Sequence, residues 1–146
     1  MVIAIDPGAN GAIAYCSDDG TVLVEPMPKI PTEQEALLRH LKDHKLGPVI
    51  MEKTGNYMPG NSGPASVKFA RHCGILEGII IALKLPLIEV APSKWMKAMG
   101  AISKEKAQRK RDIKELMQKR FPHLKVTLKN ADALGILVWY QERDKK

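Results

Sequence analysis

The chain opens with a short apolar run that ends in an aspartate. Val2–Ile5 form an uninterrupted apolar stretch, which is the pattern of a buried strand. Asp6 follows at once, and Pro7-Gly8 then turns the chain. A carboxylate at the end of a buried strand costs free energy unless a cation or hydrogen-bond donors compensate it. Asp6 is therefore a candidate metal ligand; the alternative is that Asp6-Pro7-Gly8 is only a turn.

The rest of the chain alternates apolar runs with amphipathic stretches. Further strands are predicted at 12–16, 21–25, 49–51 and 87–90, with a short extended piece at 126–128. Helices are predicted at 32–45, from 62 or 66 to 84, from 92 onwards, at 103–120 and at 130–139. Thr32 and Glu35 have the spacing of a capping box. This order predicts one α/β domain over residues 1–146, a five-stranded mixed β-sheet flanked by helices on both faces.

The composition favours an anionic partner. The chain has 23 Lys+Arg against 16 Asp+Glu and a formal net charge of +7, as expected for a protein that binds nucleic acid. Cys16 and Cys73 lie far apart in no metal-binding spacing, which is typical of reduced cysteines inside a cell. The longest apolar run, near 79–83, is too short to cross a bilayer. We expect a protein that is neither secreted nor bound to a membrane.

Two further carboxylates share the context of Asp6. Glu52 ends the predicted strand at 49–51, and Asp132 lies in the first turn of the last helix. If the two strands are adjacent and parallel, Asp6 and Glu52 leave the same edge of the sheet, where a divalent cation would remove their repulsion. The alternatives are that Asp132 complements the helix dipole and that Glu52 is a surface carboxylate paired with Lys53.

These contexts together resemble the RuvC family of Holliday-junction resolvases. The residues that carry the resemblance are Ile5-Asp6-Pro7-Gly8 with Gly11, Met51-Glu52-Lys53, Val90-Ala91-Pro92 with Trp95 and Met96, and Ala131-Asp132-Ala133-Leu134. The resemblance covers nearly the whole chain and is closest to the short phage and poxvirus-type branch. It implies a ribonuclease H-like fold and a homodimeric, metal-dependent endonuclease that resolves four-way DNA junctions by paired symmetric nicks. It also implies a location in the cytoplasm or inside a virus-infected host cell.

The resemblance assigns roles at matching positions. Asp6, Glu52 and Asp132 would be catalytic metal ligands for Mg²⁺, with Mn²⁺ as a substitute. The family usually has a fourth acidic or histidine ligand three residues before the last-helix aspartate, but that position here is Lys129. Neighbouring Asn130 is the candidate replacement, through its carbonyl oxygen.

The resemblance also implies a lysine near the scissile phosphate, at the start of the basic helix predicted at 103–120. Lys104 and Lys106 both fit this catalytic role. The alternative for the helix as a whole is an ordinary solvated face. The long helix before it is the family's usual dimer element, and Gly74 and Gly78, four residues apart, would allow a close approach of two such helices.

DNA contacts are expected beyond the carboxylates. The candidates are Tyr57, Met58, Lys68, Lys94, Lys97, Lys104, Lys106, Arg109, Lys110 and Lys129. Tyr57 and Met58 lie in a loop that follows Glu52, where they would either wedge into an opened junction or simply cover the sheet edge.

Two other functions remain open at the level of sequence. One is a different ribonuclease H-like nuclease that acts on branched DNA or structured RNA. The other is a junction-binding protein without catalysis, which the lysine at position 129 favours.

Overall fold

Five strands form one mixed sheet in the computed structural model, which describes residues 1–44, 47–55, 60, 62–143 and 145. The strands are β1 (Val2–Asp6), β2 (Ala12–Cys16), β3 (Val22–Pro26), β4 (Val49–Glu52) and β5 (Leu87–Val90). They lie in the order β3-β2-β1-β4-β5. The first three pair antiparallel, whereas β1 with β4 and β4 with β5 pair parallel. The predicted five-stranded mixed sheet is confirmed.

Within the described residues, five helices cover the two faces of this sheet. They are α1 (Pro31–Lys42), α2 (Gly63–Ala82), α3 (Pro92–Ala98), α4 (Lys106–Arg120) and α5 (Ala131–Glu142). One buried cluster joins a sheet face to α3, α4 and α5, and a second joins the opposite face to α1 and α2. None of the described helices has the length and hydrophobicity of a membrane-spanning segment.

Two local predictions were wrong. The helix α1 begins at Pro31 without a side-chain cap, so the capping box of Thr32 and Glu35 does not form; a proline fits the first helical position because its missing N–H is not needed there. The helix α4 begins at Lys106 rather than at residue 103, because the Glu105 carboxylate accepts hydrogen bonds from the N–H groups of Ala107 and Gln108. The segment at 126–128, predicted as a short extended piece, belongs to neither a helix nor a strand.

The alternation of side chains along β1 and β4 decides where their terminal carboxylates point. Ile3 and Ile5 belong to the cluster under α1 and α2, whereas Ala4 belongs to the cluster under α5. Since successive side chains of a strand point to opposite faces, Asp6 follows Ala4 onto the α5 face. The same alternation places Glu52 with Ile50, which also lies under α5.

One face of α2 is left uncovered by the part of the chain that the structure describes. The apolar residues of its sequence cover a broad face and predict a largely buried element, but Val67 and Ile81 are 69% and 70% exposed. A Cβ atom added to Gly74 or Gly78 would meet no atom within 4 Å, so both glycines also face open space. Apolar and small residues therefore form an exposed stripe along α2.

Candidate active site

Three carboxylates from distant parts of the chain line one cavity of about 420 Å³. Asp6 comes from the end of β1, Glu52 from the end of β4 and Asp132 from the first turn of α5. Ile5 is the register partner of Met51 in the parallel pair, so Asp6 and Glu52 are the next residues along at the carboxyl edge of the sheet. The helix α5 packs against β1 on one face of the sheet, and Asp132 in its first turn lines the same cavity.

The surroundings of these carboxylates penalise their negative charge. Burial raises the pKa of Asp6 to about 8, and repulsion from Asp132 and Glu52 adds to the effect. Burial likewise raises the pKa of Asp132. None of the ion pairs between described residues includes any of the three carboxylates. The cavity therefore holds acidic groups whose charge is only partly compensated.

Trp95 fixes the orientation of Glu52. The Nε1–H group of the fully buried Trp95 donates a hydrogen bond of 2.6 Å to Oε2 of Glu52. Burial raises the pKa of Glu52, and this hydrogen bond opposes the rise because it stabilises the ionised form. The Trp95 ring also lies against Gly135 of α5, where an added Cβ would be 2.7 Å from Cζ3 of the ring. One side chain thus contacts both Glu52 and the helix that carries Asp132.

Trp95 is among the residues that carry the resemblance in sequence, and the structure buries it fully. Its hydrogen bond to Glu52 was not predicted from the sequence. The available signal was the indole N–H, since a buried tryptophan needs an acceptor for it.

Cations from the start of α4 form another wall of the cavity. Lys106, Arg109 and Lys110 line it, and the positive charge of Lys110 opposes the rise in pKa at all three carboxyls. Lys104 does not line the cavity; it precedes α4, and its carbonyl oxygen accepts a hydrogen bond of 3.0 Å from Nη1 of Arg109. Of the two candidate lysines, the structure brings Lys106 to the carboxylates.

Asn130 and Lys129 lie outside the lining of this cavity. The Asn130 amide is used in the turn before α5: Oδ1 accepts a hydrogen bond from the N–H of Thr127, and Nδ2 donates one to the carbonyl of Lys125. The structure therefore does not bring the Asn130 side chain to the carboxylates.

The other candidate DNA contacts are scattered. Lys68 is exposed on α2 and lines a neighbouring cavity. Lys94 and Lys97 are exposed on α3, and the Lys94 ammonium lies 5.6 Å from the centre of the Trp139 ring. Tyr57 and Met58 lie outside the described residues, so the wedge prediction stays a prediction.

The donor set suits a hard divalent cation. All three candidate ligands offer carboxylate oxygens, the donors that Mg²⁺ and Mn²⁺ prefer, and a bound cation would relieve the penalty on their charge. Their positions are not those of a finished coordination shell: no three Asp, Glu, His or Cys side chains among the described residues are arranged to hold a metal. The three carboxylates fit the ion by chemistry and location, and binding requires them to close around it.

The sequence matches no protein-family model and no curated protein. The fold, by contrast, is shared with solved Holliday-junction resolvases over nearly the whole chain. RuvC of Thermus thermophilus in complex with a Holliday junction aligns with a TM-score of 0.63 and 15% identity, covering 98% of this chain and 95% of RuvC. The fowlpox virus resolvase in complex with Holliday junction DNA aligns with a TM-score of 0.57 and 15% identity, covering 98% of this chain and 99% of the resolvase. The chain has the ribonuclease H-like fold of RuvC-type resolvases, which confirms the predicted fold.

Proposed function

We propose that this protein is a metal-dependent, structure-selective endonuclease that resolves four-way DNA junctions. The observation that carries the proposal is the convergence of Asp6, Glu52 and Asp132 on one cavity beside a cationic wall. The fold supports it, since two structures with this fold are bound to Holliday junctions. The net charge of +7 supports an anionic substrate.

The carboxylates and the cations of the cavity would have different roles in phosphodiester hydrolysis. A bound Mg²⁺, or Mn²⁺ in its place, would supply an activated water molecule and stabilise the leaving oxygen. Asp6, Glu52 and Asp132 would hold the ion, and Asp6 must lose its proton to do so. Lys106, with Arg109 beside it, would bind the non-bridging oxygens of the scissile phosphate and stabilise the charge that develops there.

A homodimer explains how one small domain would make paired nicks. We propose that two protomers pack through the exposed stripe on α2, because Val67 and Ile81 are apolar and the glycines at 74 and 78 allow close helix contact. Each protomer then presents one cavity to one strand of a symmetric junction, and the two strands are cut in equivalent positions.

Cleavage of synthetic DNA tests the proposal. In Mg²⁺ the protein should cut a four-way junction in two strands related by symmetry, and should leave linear duplex of the same sequence intact. A flap and a structured RNA serve as the competing substrates. Preferential cleavage of the RNA would instead support a different ribonuclease H-like nuclease.

The second candidate is a junction-binding protein without catalysis. Two observations favour it: the described residues contain no ready three-ligand metal cluster, and Lys129 stands where a fourth ligand is expected. Calorimetric titration with Mn²⁺ separates the two candidates. Mn²⁺ binding by the wild type that is lost in Asp132→Asn supports the nuclease. Absence of Mn²⁺ binding by the wild type supports the non-catalytic protein.

A further inference from the structure

A second cavity of about 480 Å³ adjoins the carboxylates. It is formed by the turn between β1 and β2, the segment before α1 and the first half of α2. The residues that line it are Gly8, Ala9, Pro28, Lys29, Ala65, Lys68, Phe69 and His72. Three of them, Gly8, Ala9 and Phe69, line the carboxylate cavity as well, so the two cavities are neighbours that share a wall.

The shared wall is built around the ring of Phe69. Gly8 has φ +113, a backbone conformation that favours glycine, and a Cβ there would lie 3.3 Å from Cε2 of Phe69. The ring lies against the bare backbone of the turn that follows Asp6 and is only half-buried. The Phe69 ring is thus held at the border between the carboxylates and the second cavity.

The second cavity combines an apolar interior with cations. Alanine, proline and phenylalanine account for half of its eight described lining residues, and the exposed Lys29 and Lys68 are the lysines among them. Binding of DNA phosphates needs only the lysines and does not explain the apolar lining. An aromatic ring beside an apolar cavity fits a flat, weakly polar group that arrives with a phosphate attached.

We propose that this cavity receives an unstacked nucleobase of a nucleotide next to the cleaved phosphodiester. The inference rests on the proposed function, because it takes the carboxylates as the place where the strand is cut. With the scissile phosphate there, the neighbouring nucleotide reaches the Phe69 ring, its base stacks on the ring and its phosphate lies within reach of Lys68 or Lys29. The volume is within the range of small-ligand sites.

Junctions with single abasic sites test the proposal. Each nucleotide flanking the cleaved phosphodiester is replaced in turn, and the Kd is measured in Ca²⁺ for the wild type and for Phe69→Leu. At one position the abasic site should weaken binding by the wild type about tenfold, the size of one base–aromatic stack. Phe69→Leu should weaken binding of the intact junction by a similar factor and be insensitive to that abasic site. Phe69→Tyr, which keeps a ring, should keep the sensitivity.

Two controls make the outcome specific. Phe121→Leu changes the other phenylalanine of the chain, which is buried at the end of α4, and should leave the abasic profile unchanged. Lys68→Ala should weaken binding of intact and abasic junctions by the same factor and lower the salt dependence, since it removes a phosphate contact.

Three results would overturn the inference. In the first, no abasic site changes the Kd of the wild type. In the second, Phe69→Leu weakens binding of every abasic junction as much as binding of the intact one. In the third, the Kd of Phe69→Tyr does not respond to any abasic site. A wild type that binds and cuts junctions with a flat profile refutes the base pocket alone. A wild type that neither binds nor cuts junctions refutes the proposed function and the pocket together.

Discussion

The indole N–H of Trp95 donates a hydrogen bond of 2.6 Å to Oε2 of Glu52, and the same ring packs against Gly135 one turn beyond Asp132. This relationship joins the end of β4 to the buried helix α5. A metal ligand needs a fixed orientation, and loss of a partner that holds a ligand typically weakens metal binding about 10- to 100-fold. Trp95 is therefore a positioning residue for Glu52.

Removal of the indole N–H should weaken metal binding while the fold is kept. Trp95→Phe retains an aromatic ring beside Gly135 and loses the hydrogen bond. We expect the Mn²⁺ Kd, measured by calorimetry, and the Mg²⁺ concentration for half-maximal cleavage to rise about tenfold or more. Trp139→Phe is the matched control, because Trp139 is buried in the same cluster and forms no hydrogen bond with Glu52. Equal metal affinities in the wild type and Trp95→Phe would refute the positioning role.

The buried charge of Asp6 should make the metal-free protein less stable as the pH rises. Its pKa is 3.8 ordinarily and about 8 in the fold, so between these values the unfolded chain loses a proton that the folded chain keeps. The free energy of unfolding therefore falls from pH 4 to pH 8. The stability of Asp6→Asn does not fall in this way, because asparagine has no proton to lose. In EDTA at pH 8 the free energy of unfolding of Asp6→Asn should exceed that of the wild type by more than about 1.4 kcal/mol, the value of one pKa unit.

Thermal unfolding at several pH values checks this sign. The gain from Asp6→Asn should vanish at pH 4 and below, where both states of the wild type are protonated. Asp112→Asn is the control, with an effect of opposite sign. Hydrogen bonds from the Ser103 N–H and the Gln108 side chain lower the pKa of Asp112. Loss of the Asp112 carboxylate should therefore destabilise the protein near neutral pH. An Asp6→Asn variant that is less stable than the wild type at pH 8 would contradict the account of the cavity.

Lys106 and Lys104 should differ sharply in their effect on cleavage. Lys106 lines the carboxylate cavity, whereas Lys104 precedes α4 and does not. Lys106→Ala should lower the single-turnover cleavage rate about 100-fold, as expected when one group that stabilises developing charge is removed. Lys104→Ala should lower it less than about threefold, within the range of a surface phosphate contact. A larger loss in Lys104→Ala would reverse the assignment.

A charge on the exposed face of α2 should separate the protomers. Ile81 is 70% exposed and lies in the apolar stripe, so Ile81→Glu would place a carboxylate in the proposed interface. Light scattering should give a dimer for the wild type and a monomer for the variant, with an unchanged Tm in dilute solution. The exposed Lys42→Glu on α1 is the control and should remain dimeric. A monomeric wild type at micromolar concentration would contradict the proposed dimer.

The sequence allowed the sheet to be predicted because its strands are short, apolar and sharply bounded. The strand at 87–90 is predicted with its observed bounds, and β1 and β4 each extend one residue further, to include Asp6 and Glu52. The apolar periodicity stops at a carboxylate, but the backbone pairing of β4 continues through it, with Glu52 beside Val90.

The failures have different physical origins. The helix α4 begins later than predicted because Glu105 caps it better than Ser103, whose hydroxyl instead accepts a hydrogen bond from the Glu105 N–H. The exposure of Val67 and Ile81 was not predicted because the apolar residues of α2 cover a broad face, so the pattern does not reveal which part of that face the sheet covers. The contact of Trp95 with Glu52 spans 43 positions, and no local pattern encodes it.

The most direct test of the central claim is cleavage and binding of a four-way junction by the wild type and Asp6→Asn side by side. In Mg²⁺ the wild type should produce paired nicks, and Asp6→Asn should produce none while its junction Kd in Ca²⁺ stays within about threefold of the wild-type value, because the phosphate contacts of α4 are untouched. Normal cleavage by Asp6→Asn would contradict the assignment of the three carboxylates as the catalytic centre.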